Sequence, residues 1–460
     1  MEGRGRRIEE PLEGTMSGKP SPSSISTKRE RIAKLAREMP GVALTSLSQH
    51  IDLDWLKEAH RRTRKKCSVG VDGVTGAEYE RDLESNLRSL LDRAKSGTYR
   101  APPVRRVYIP KGSDGAQRPI GIPTFEDKVL QRAVATVLGE VYEQDFLDCS
   151  HGFRPRRGQH TALASFWGQA MAMGGGTVVE VDVKSFFDAI DHGRLREILR
   201  QRVRDGVLLR LIGKWLKAGV LEDGCVALPE SGTPQGGVIS PLLANVFLHE
   251  VLDTWFEREV LPRLRGRGFM VRFADDFVMC FESDEDARRV MDVVAKRFAK
   301  YGLTVHPKKT RMVSFRRPPL NDGGRGSRGA TRPGTFDLLG FTHYWGRSRR
   351  GKWVIKRKTM SSRLSRSLRS VWTYCQKKRH KPLEEQHRAL VRKIRGHCAY
   401  YGITGNGKQI SAFRHWTYVI WRWWLNRRSR HTRGGMAGLD RLLERYPLPN
   451  ATVVHSVYRT

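Results

Sequence analysis

The sequence predicts an α+β fold with helical ends, and three patterns predict it. Between about residues 99 and 345, short alternating apolar runs that read as strands are interleaved with longer runs of helical period. Ahead of them, residues 28–98 carry helical spacing throughout. After residue 346 the period is again helical, now with a large excess of basic side chains. A chain of 460 residues has room for about two to four domains. The composition shifts place boundaries at residues 1–27, 28–98, 99–345, 346–430 and 431–460.

Residues 1–27 are rich in Gly, Arg, Ser and Pro and lack the apolar core of a signal peptide, so disorder is the expectation. Leu53, Leu56 and Ala59 open one helix, and Leu83, Leu87, Leu90 and Leu91 mark another. Residues 104–109 read as a strand and 129–146 as a long helix with Leu130, Val134, Val137 and Val141 inward. In the run 177–183, Val179, Val181 and Val183 share one face of a strand, leaving Glu180, Asp182 and Lys184 on the other. Residues 271–281 read as a hairpin with Ala274-Asp275-Asp276 at its tip, and 316–335, rich in Gly, Pro and Arg, as a mobile loop. Met360, Leu364, Leu368, Val371, Trp372 and Cys375 form the apolar stripe of a further helix, and two more helices follow near 383–402 and 410–426.

Charge narrows the class of function. The chain has 84 Lys+Arg against 48 Asp+Glu, a net of +36. Like charges repel, so such an excess makes sense when a polyanion is the partner. Residues 341–440 hold 25 basic and 3 acidic side chains, and seven of the eleven Trp lie beyond residue 340. Basic helices around an aromatic core make a nucleic-acid clamp. Arg363, Arg366 and Arg369, off the apolar stripe, are its candidate phosphate contacts. No run of 18 apolar residues occurs, which excludes a membrane helix. The six cysteines form no CxxC pair and read as reduced core thiols. The expected location is the bacterial cytoplasm.

Chemistry concentrates in two acidic segments, Asp182-Val183-Lys184-Ser185-Phe186-Phe187-Asp188 and Phe273-Ala274-Asp275-Asp276-Phe277. Adjacent aspartates on an apolar hairpin are costly, and a divalent cation removes the cost. If the strand bearing Asp182 lies beside the hairpin, the three carboxylates converge. Phosphoryl transfer needs such a set. Two Mg²⁺ ions about 3.5–4 Å apart activate a 3′-hydroxyl and stabilise the leaving pyrophosphate, and Mg²⁺ takes only a few carboxylates. Asp188 and Asp191 read as turn or cap groups. The glycine-rich run Gly232-Thr233-Pro234-Gln235-Gly236-Gly237 lets backbone approach a ligand or a base pair. Lys111 and Arg118 are candidates for a triphosphate.

At these residues the chain resembles the reverse transcriptases encoded by group II introns, the intron maturases. The resemblance covers roughly residues 50–430 and rests on segments in the family's order: Gly70-Val71-Asp72-Gly73-Val74-Thr75, the Arg118-to-Pro123 stretch, Gly152-Phe153-Arg154-Pro155, the two acidic segments, the Thr233-to-Pro241 loop, His306-Pro307-Lys308-Lys309-Thr310, and Phe336-Asp337-Leu338-Leu339-Gly340-Phe341. It implies a right-hand fold of fingers, palm and thumb with a helical N-terminal extension and a basic helical thumb or maturase domain. It implies Asp182, Asp275, Asp276 and the backbone carbonyl of Val183 as ligands of two Mg²⁺ ions, and Phe187 as the aromatic gate against a ribose 2′-hydroxyl. Gln235, Lys111 and Arg118 would meet the incoming dNTP, and Lys309 would meet nucleic acid. Phe273 and His397 stand where many relatives carry Tyr and Trp.

The function so implied is RNA-templated DNA synthesis on intron RNA, with help in splicing and mobility. The partners would be the intron RNA, a DNA target or primer, and dNTPs. Many relatives end in a Cys- and His-bearing endonuclease, and no such domain is expected before Thr460. Two alternatives stand beside this reading. A stand-alone polymerase serving repair or defence would share every motif. A non-catalytic RNA-binding splicing factor is disfavoured by the intact aspartates.

Overall fold

A computed structural model describes residues 22–110, 117–222, 225–227, 232, 236–319, 333–427, 441 and 443–456. Lys111, Gln235 and most of the 316–335 loop lie outside these residues.

The N-terminal part is helical as expected, with helices Pro22–Glu38, Leu53–Arg62, Gly76–Arg81 and Leu83–Ser96. Its first helix begins at Pro22 rather than after Thr27, because Ile25, Ile32 and Ala36 bury against the long helix Phe125–Tyr142. The far end of that first helix is held by Arg202. This buried guanidinium pairs with Asp145 at 2.8 Å and donates to the carbonyls of Met39 and Val42 at 2.7 and 2.6 Å. Carbonyls at a helix C-terminus have no partner within the helix, so an arginine there supplies donors the chain lacks.

A four-stranded sheet follows, in the order Gln117–Ile122, Val104–Pro110, Val220–Glu222, Cys225–Ala227. The first two strands form a hairpin paired from Arg105↔Ile122 to Pro110↔Gln117. The long helix behind it starts at Thr124, whose hydroxyl caps the amide of Asp127. Asp127 is itself buried, and burial pushes its carboxyl up to about 6. It accepts from Tyr99 Oη at 2.5 Å, Trp215 Nε1 at 2.7 Å and Gln131 Nε2 at 3.1 Å. Three donors on one buried carboxylate tie this helix to Gly206–Leu216.

The central sheet has the order Gly268–Phe273, Asp276–Phe281, Gly175–Val181, Arg311–Arg316, with every neighbouring pair antiparallel. Val179, Val181 and Val183 face the core shared with the N-terminal helices, as their alternation predicts. The opposite face, which carries Glu180 and Asp182, is also largely covered. Val178, Val271, Val278 and Phe315 fill it, covered by helix Gln159–Met173 and a second sheet of Phe336–Leu338, Phe341–Arg347 and Trp353–Thr359. Glu180 sits under the rim of this cover, accepting from the Asp337 amide at 3.2 Å, and Asp182 follows beyond the strand's end. Burial on both faces makes these strands near-continuous apolar runs.

The C-terminal helices are Ser361–Lys378, Leu383–Tyr401 and Gly407–Asn426, packed around Val371, Cys375, Leu390, Ile394 and Trp421. Two expectations change here. Trp372 is not a core residue but lies exposed, tilted against Trp423 at 4.7 Å. Leu443 and Leu448 also join this core, and His455 bridges to Ile403. Cys225 is exposed, so the core reading of the thiols fails at that position. Among the described residues no helix is long and apolar enough to cross a membrane.

Candidate active site

The acidic hairpin forms where its apolar strands end. Phe269, Met270 and Val271 are buried on one strand and Phe277, Val278 and Met279 on the other, so only the tip emerges. The tip is tight: Ala274 takes φ +58°, a left-handed conformation that costs a non-glycine residue about 1–3 kcal/mol. Surrounding bonds hold it there. Arg272 Nη1 donates to the Ala274 carbonyl at 3.0 Å. Gly152 packs its bare Cα on the same peptide, and a Cβ at that position would lie 2.3 Å from Ala274 N.

Arg272 is the anchor of this arrangement. It and Asp253 are both fully buried. Nε and Nη2 donate to the two Asp253 oxygens at 2.7 and 2.5 Å, Nη1 to Asn245 Oδ1 at 2.9 Å, and Nη2 to Ser150 Oγ at 2.7 Å. With the Ala274 carbonyl, all five guanidinium N–H groups are used. Asn245 closes the ring by donating to the Gly152 carbonyl at 2.7 Å. Asp253 itself lies in a π-helical turn, His249–Asp253, which continues helix Ser240–Leu248.

Asp182 is placed by a separate set of bonds. The His306 amide donates to the Asp182 carbonyl at 2.7 Å and the Lys184 amide to Thr304 at 2.8 Å, making Val183 and Val305 an antiparallel pair. In that pattern the N–H and C=O of Val183 turn away from Val305, towards the hairpin side of the strand. The register Val181↔Phe277 then sets Asp182 beside the tip.

The electrostatics report the convergence. Asp276 is open to solvent yet sits in a cleft with protein around it. Desolvation, then the charges of Asp275 and Asp182, push its carboxyl up to about 6, opposed by a hydrogen bond from the Leu339 amide. Three anions thus crowd one site. Lys309 supplies a cation, its Nζ 3.1 Å from Asp182 Oδ2. The structure therefore brings Lys309 to the carboxylates, not to a separate surface. Among the described residues no three acidic, His or Cys side chains close into a metal cage by themselves. The donors that do gather are three carboxylates and one carbonyl, all hard oxygens. That set suits Mg²⁺, which leaves most of its shell to phosphate and water.

Phe187 lies on the short helix Phe186–Ala189, half-buried, its ring edge-on to Phe186 at 5.3 Å. Gly232 and Gly236, of the glycine-rich run, link it to the first sheet. The Gly232 amide donates to the Ile190 carbonyl at 2.8 Å. Gly236, at φ +117°, packs so close that a Cβ would lie 2.4 Å from the Gly121 carbonyl. Gln131 Oε1 accepts from the Val238 amide at 2.8 Å. The glycines do permit close backbone approach, here to other backbone. Arg118 stands exposed on the adjoining strand. Its companions Lys111 and Gln235 fall outside the described residues.

Arg363, Arg366 and Arg369 are exposed on Ser361–Lys378. Arg363 lies near Gly340, in the turn whose Leu339 amide reaches Asp276. Sequence distance had set this helix apart from the carboxylates; the turn joins them.

The sequence reading missed Arg272, Asp253, Asn245, Gln131 and Leu339. A signal existed for the first two. An arginine inside Phe269-Met270-Val271-Arg272-Phe273 and an aspartate inside Leu252-Asp253-Thr254-Trp255 are charges in apolar runs, which persist only when paired.

Residues 109–343 match the family described as Reverse transcriptase (RNA-dependent DNA polymerase). The chain belongs to that family. Its right-hand polymerase fold accounts for the mixed α+β architecture above. Among relatives, the group II intron-encoded protein LtrA of Lactococcus lactis subsp. cremoris is 36% identical over 282 residues, 58% of this chain and 46% of LtrA. Protein YkfC of Escherichia coli K12 is 33% identical over 341 residues, 65% of this chain and 86% of YkfC. A 91 kDa protein in the cob intron of Schizosaccharomyces pombe is 38% identical over 249 residues, 54% of this chain and 30% of that protein. The chain thus spans about half the length of LtrA.

The anchor can be tested directly. Arg272→Ala strands the buried Asp253 and should cost about 3–5 kcal/mol in denaturant unfolding, whereas Arg272→Met with Asp253→Leu should recover much of that loss. A single variant that loses less than about 1 kcal/mol would remove the pair from this role.

Proposed function

We propose that the chain synthesises DNA on an RNA template, copies the group II intron RNA that encodes it, and binds that RNA to assist its splicing and mobility. The observation that carries the polymerase reading is the convergence of Asp182, Asp275 and Asp276 on a hairpin held by buried bonds. Family membership and the intron-encoded relatives support the choice of template. In this reading the central sheet is the palm, the first sheet the fingers, and Ser361–Lys378 with the helices after it the thumb.

Asp182, Asp275, Asp276 and the Val183 carbonyl would hold two Mg²⁺ ions, which when bound acidify the primer 3′-hydroxyl and offset charge on the departing pyrophosphate. The protein does the positioning. The Arg272 network keeps the hairpin tip from shifting, so the two aspartates meet the primer end at a fixed height. Phe187, braced by Phe186, presents a ring edge beside the sugar of an incoming nucleotide, where a 2′-hydroxyl would collide. Arg118, with Lys111 and Gln235, would hold the triphosphate and base from the fingers side. Lys309, 3.1 Å from Asp182 Oδ2, offsets one carboxylate charge and would stand within reach of a nucleic-acid phosphate at the site. The basic C-terminal helices carry the RNA through phosphate contacts, each of which releases counterions.

Three measurements test this reading. Asp275→Asn should abolish primer extension while RNA affinity, which rests on the basic surface, persists; extension at a near wild-type rate would sink the site assignment. Phe187→Val should raise rNTP incorporation relative to dNTP, and an unchanged ratio would count against the gate. Neutralising Arg363, Arg366 and Arg369 together should weaken RNA binding and lower the slope of log K against log salt by about 2–3, the share of three phosphate contacts. A folded triple variant with an unmoved slope would take that helix off the RNA surface.

A further inference from the structure

Beside the acidic hairpin stands a segment that the reading above leaves without a task. Gly152-Phe153-Arg154-Pro155-Arg156 runs along the outer edge of the central sheet, where Ser150 bridges to Arg272 on the edge strand. Phe153 takes φ +56° and Arg156 φ +58°. Two non-glycine residues in the left-handed region within four positions is an uncommon expense of conformational energy. Such strain persists only when the surroundings impose it, and here they do. Gly152 is pinned to Ala274 and to Asn245. Arg154 is buried, pairs with Glu143 at 2.8 Å, and donates to the carbonyls of Leu147, Ser150 and Phe146 at 2.6, 2.9 and 3.3 Å.

The result of that effort is an exposed aromatic ring. Phe153 is 59% exposed, the most exposed large hydrophobic side chain among the described residues. Among the described residues its ring neighbour is Phe273, at 6.3 Å, immediately before the acidic tip. Arg156 is exposed too, with no carboxylate partner among the described residues. A strained loop that turns a phenyl ring outward gains nothing in stability from it. A flat apolar face beside a cation suits a nucleic-acid strand, in which bases and sugars alternate with phosphates.

We infer that this loop is a strand-holding platform. Phe153 packs on the base or sugar of one strand of the template–primer duplex next to the catalytic hairpin, and Arg156 meets the adjoining phosphate. The inference rests on the polymerase reading for the identity of the duplex. The chemistry, an aromatic face with a cation, selects nucleic acid without selecting sequence, as a polymerase requires. Because Gly152 and Arg272 tie the loop to the Asp275 turn, a strand gripped there is registered against the carboxylates.

The test separates holding from folding. Phe153→Gly relieves the left-handed strain while removing the ring, so its melting temperature should not fall. Its Kd for an RNA–DNA template–primer should nevertheless rise by about fivefold or more, the effect of losing one stacking contact. KM for the duplex should rise with it, while kcat at saturation stays within about twofold. Phe153→Trp should restore binding. Arg156→Ala should flatten the salt slope by about 0.7–0.9. Parallel titrations with the RNA template alone and the DNA primer alone identify which strand is held: the defect should follow one of them. A Phe153→Gly variant that melts several degrees lower, or one that binds duplex as wild type does, would overturn the proposal. Wild-type protein that binds duplex without extending it would overturn the polymerase reading, while the Kd comparison would still decide the platform.

Discussion

One buried ion pair governs the geometry on which everything else depends. Arg272 and Asp253 have no contact with solvent, and taking two charges out of water costs several kcal/mol each unless every lone pair and proton is met. Here all five guanidinium protons are met, by Asp253, Asn245, Ser150 and the Ala274 carbonyl. The partners come from three separate stretches of chain, so the pair can be satisfied only when the edge strand, the π-helical turn and the 150–152 loop are all in place. A lysine could not substitute, because its three donors lack the planar fork that grips both oxygens of a carboxylate. The pair contributes specificity of arrangement more than net stability, which is why removing one partner should be costly while removing both should not.

From that anchor the charge pattern of the molecule becomes intelligible. The protein carries a net charge of +36, yet its centre is a knot of aspartates. Desolvation, and then the neighbouring Asp275 and Asp182, raise the proton affinity of Asp276, and three carboxylates together create demand for a cation. In the proposed function the surrounding positive surface would draw nucleic acid inward by long-range attraction, and the acidic knot would mark where the chemistry occurs. The two are not far apart. The Leu339 amide touches Asp276, Tyr400 on the second C-terminal helix donates to the Leu339 carbonyl at 3.0 Å, and Arg363 lies by Gly340 in the same turn. The helical C-terminal unit thus reaches the carboxylates through a single tight turn.

The local pattern of the chain made much of this visible in advance. The alternation of Val179, Val181 and Val183 placed a strand, and Asp275-Asp276 between apolar runs placed a hairpin with its carboxylates at the tip. The helical stripes at residues 83–91 and 360–375 became Leu83–Ser96 and Ser361–Lys378. These features are local, set by side-chain period and by the cost of burying charge. The burial expected of Trp372 and Cys225 was in error, and the apolar cover over the Asp182 face of the strand was not visible in advance. Each depends on which distant element arrives to cover the position, and no window of sequence contains that partner.

What the sequence determined alone, then, is chemistry and period: which residues bear charge, which runs can pack, and that adjacent aspartates on apolar flanks need a cation. Tertiary structure alone decided the neighbours. It set Lys309 on Asp182, Leu339 against Asp276, and Gly236 on Gly121. It turned Arg272 from an anomaly inside an apolar strand into the anchor of the site, and Phe153 from one letter of a motif into an exposed ring beside the carboxylates. The reason is physical. A side chain's identity and its preference for strand or helix are properties of a few residues, whereas a hydrogen bond or a close backbone approach between residues far apart in the chain, such as Lys309 and Asp182, exists only after the whole core has closed around it.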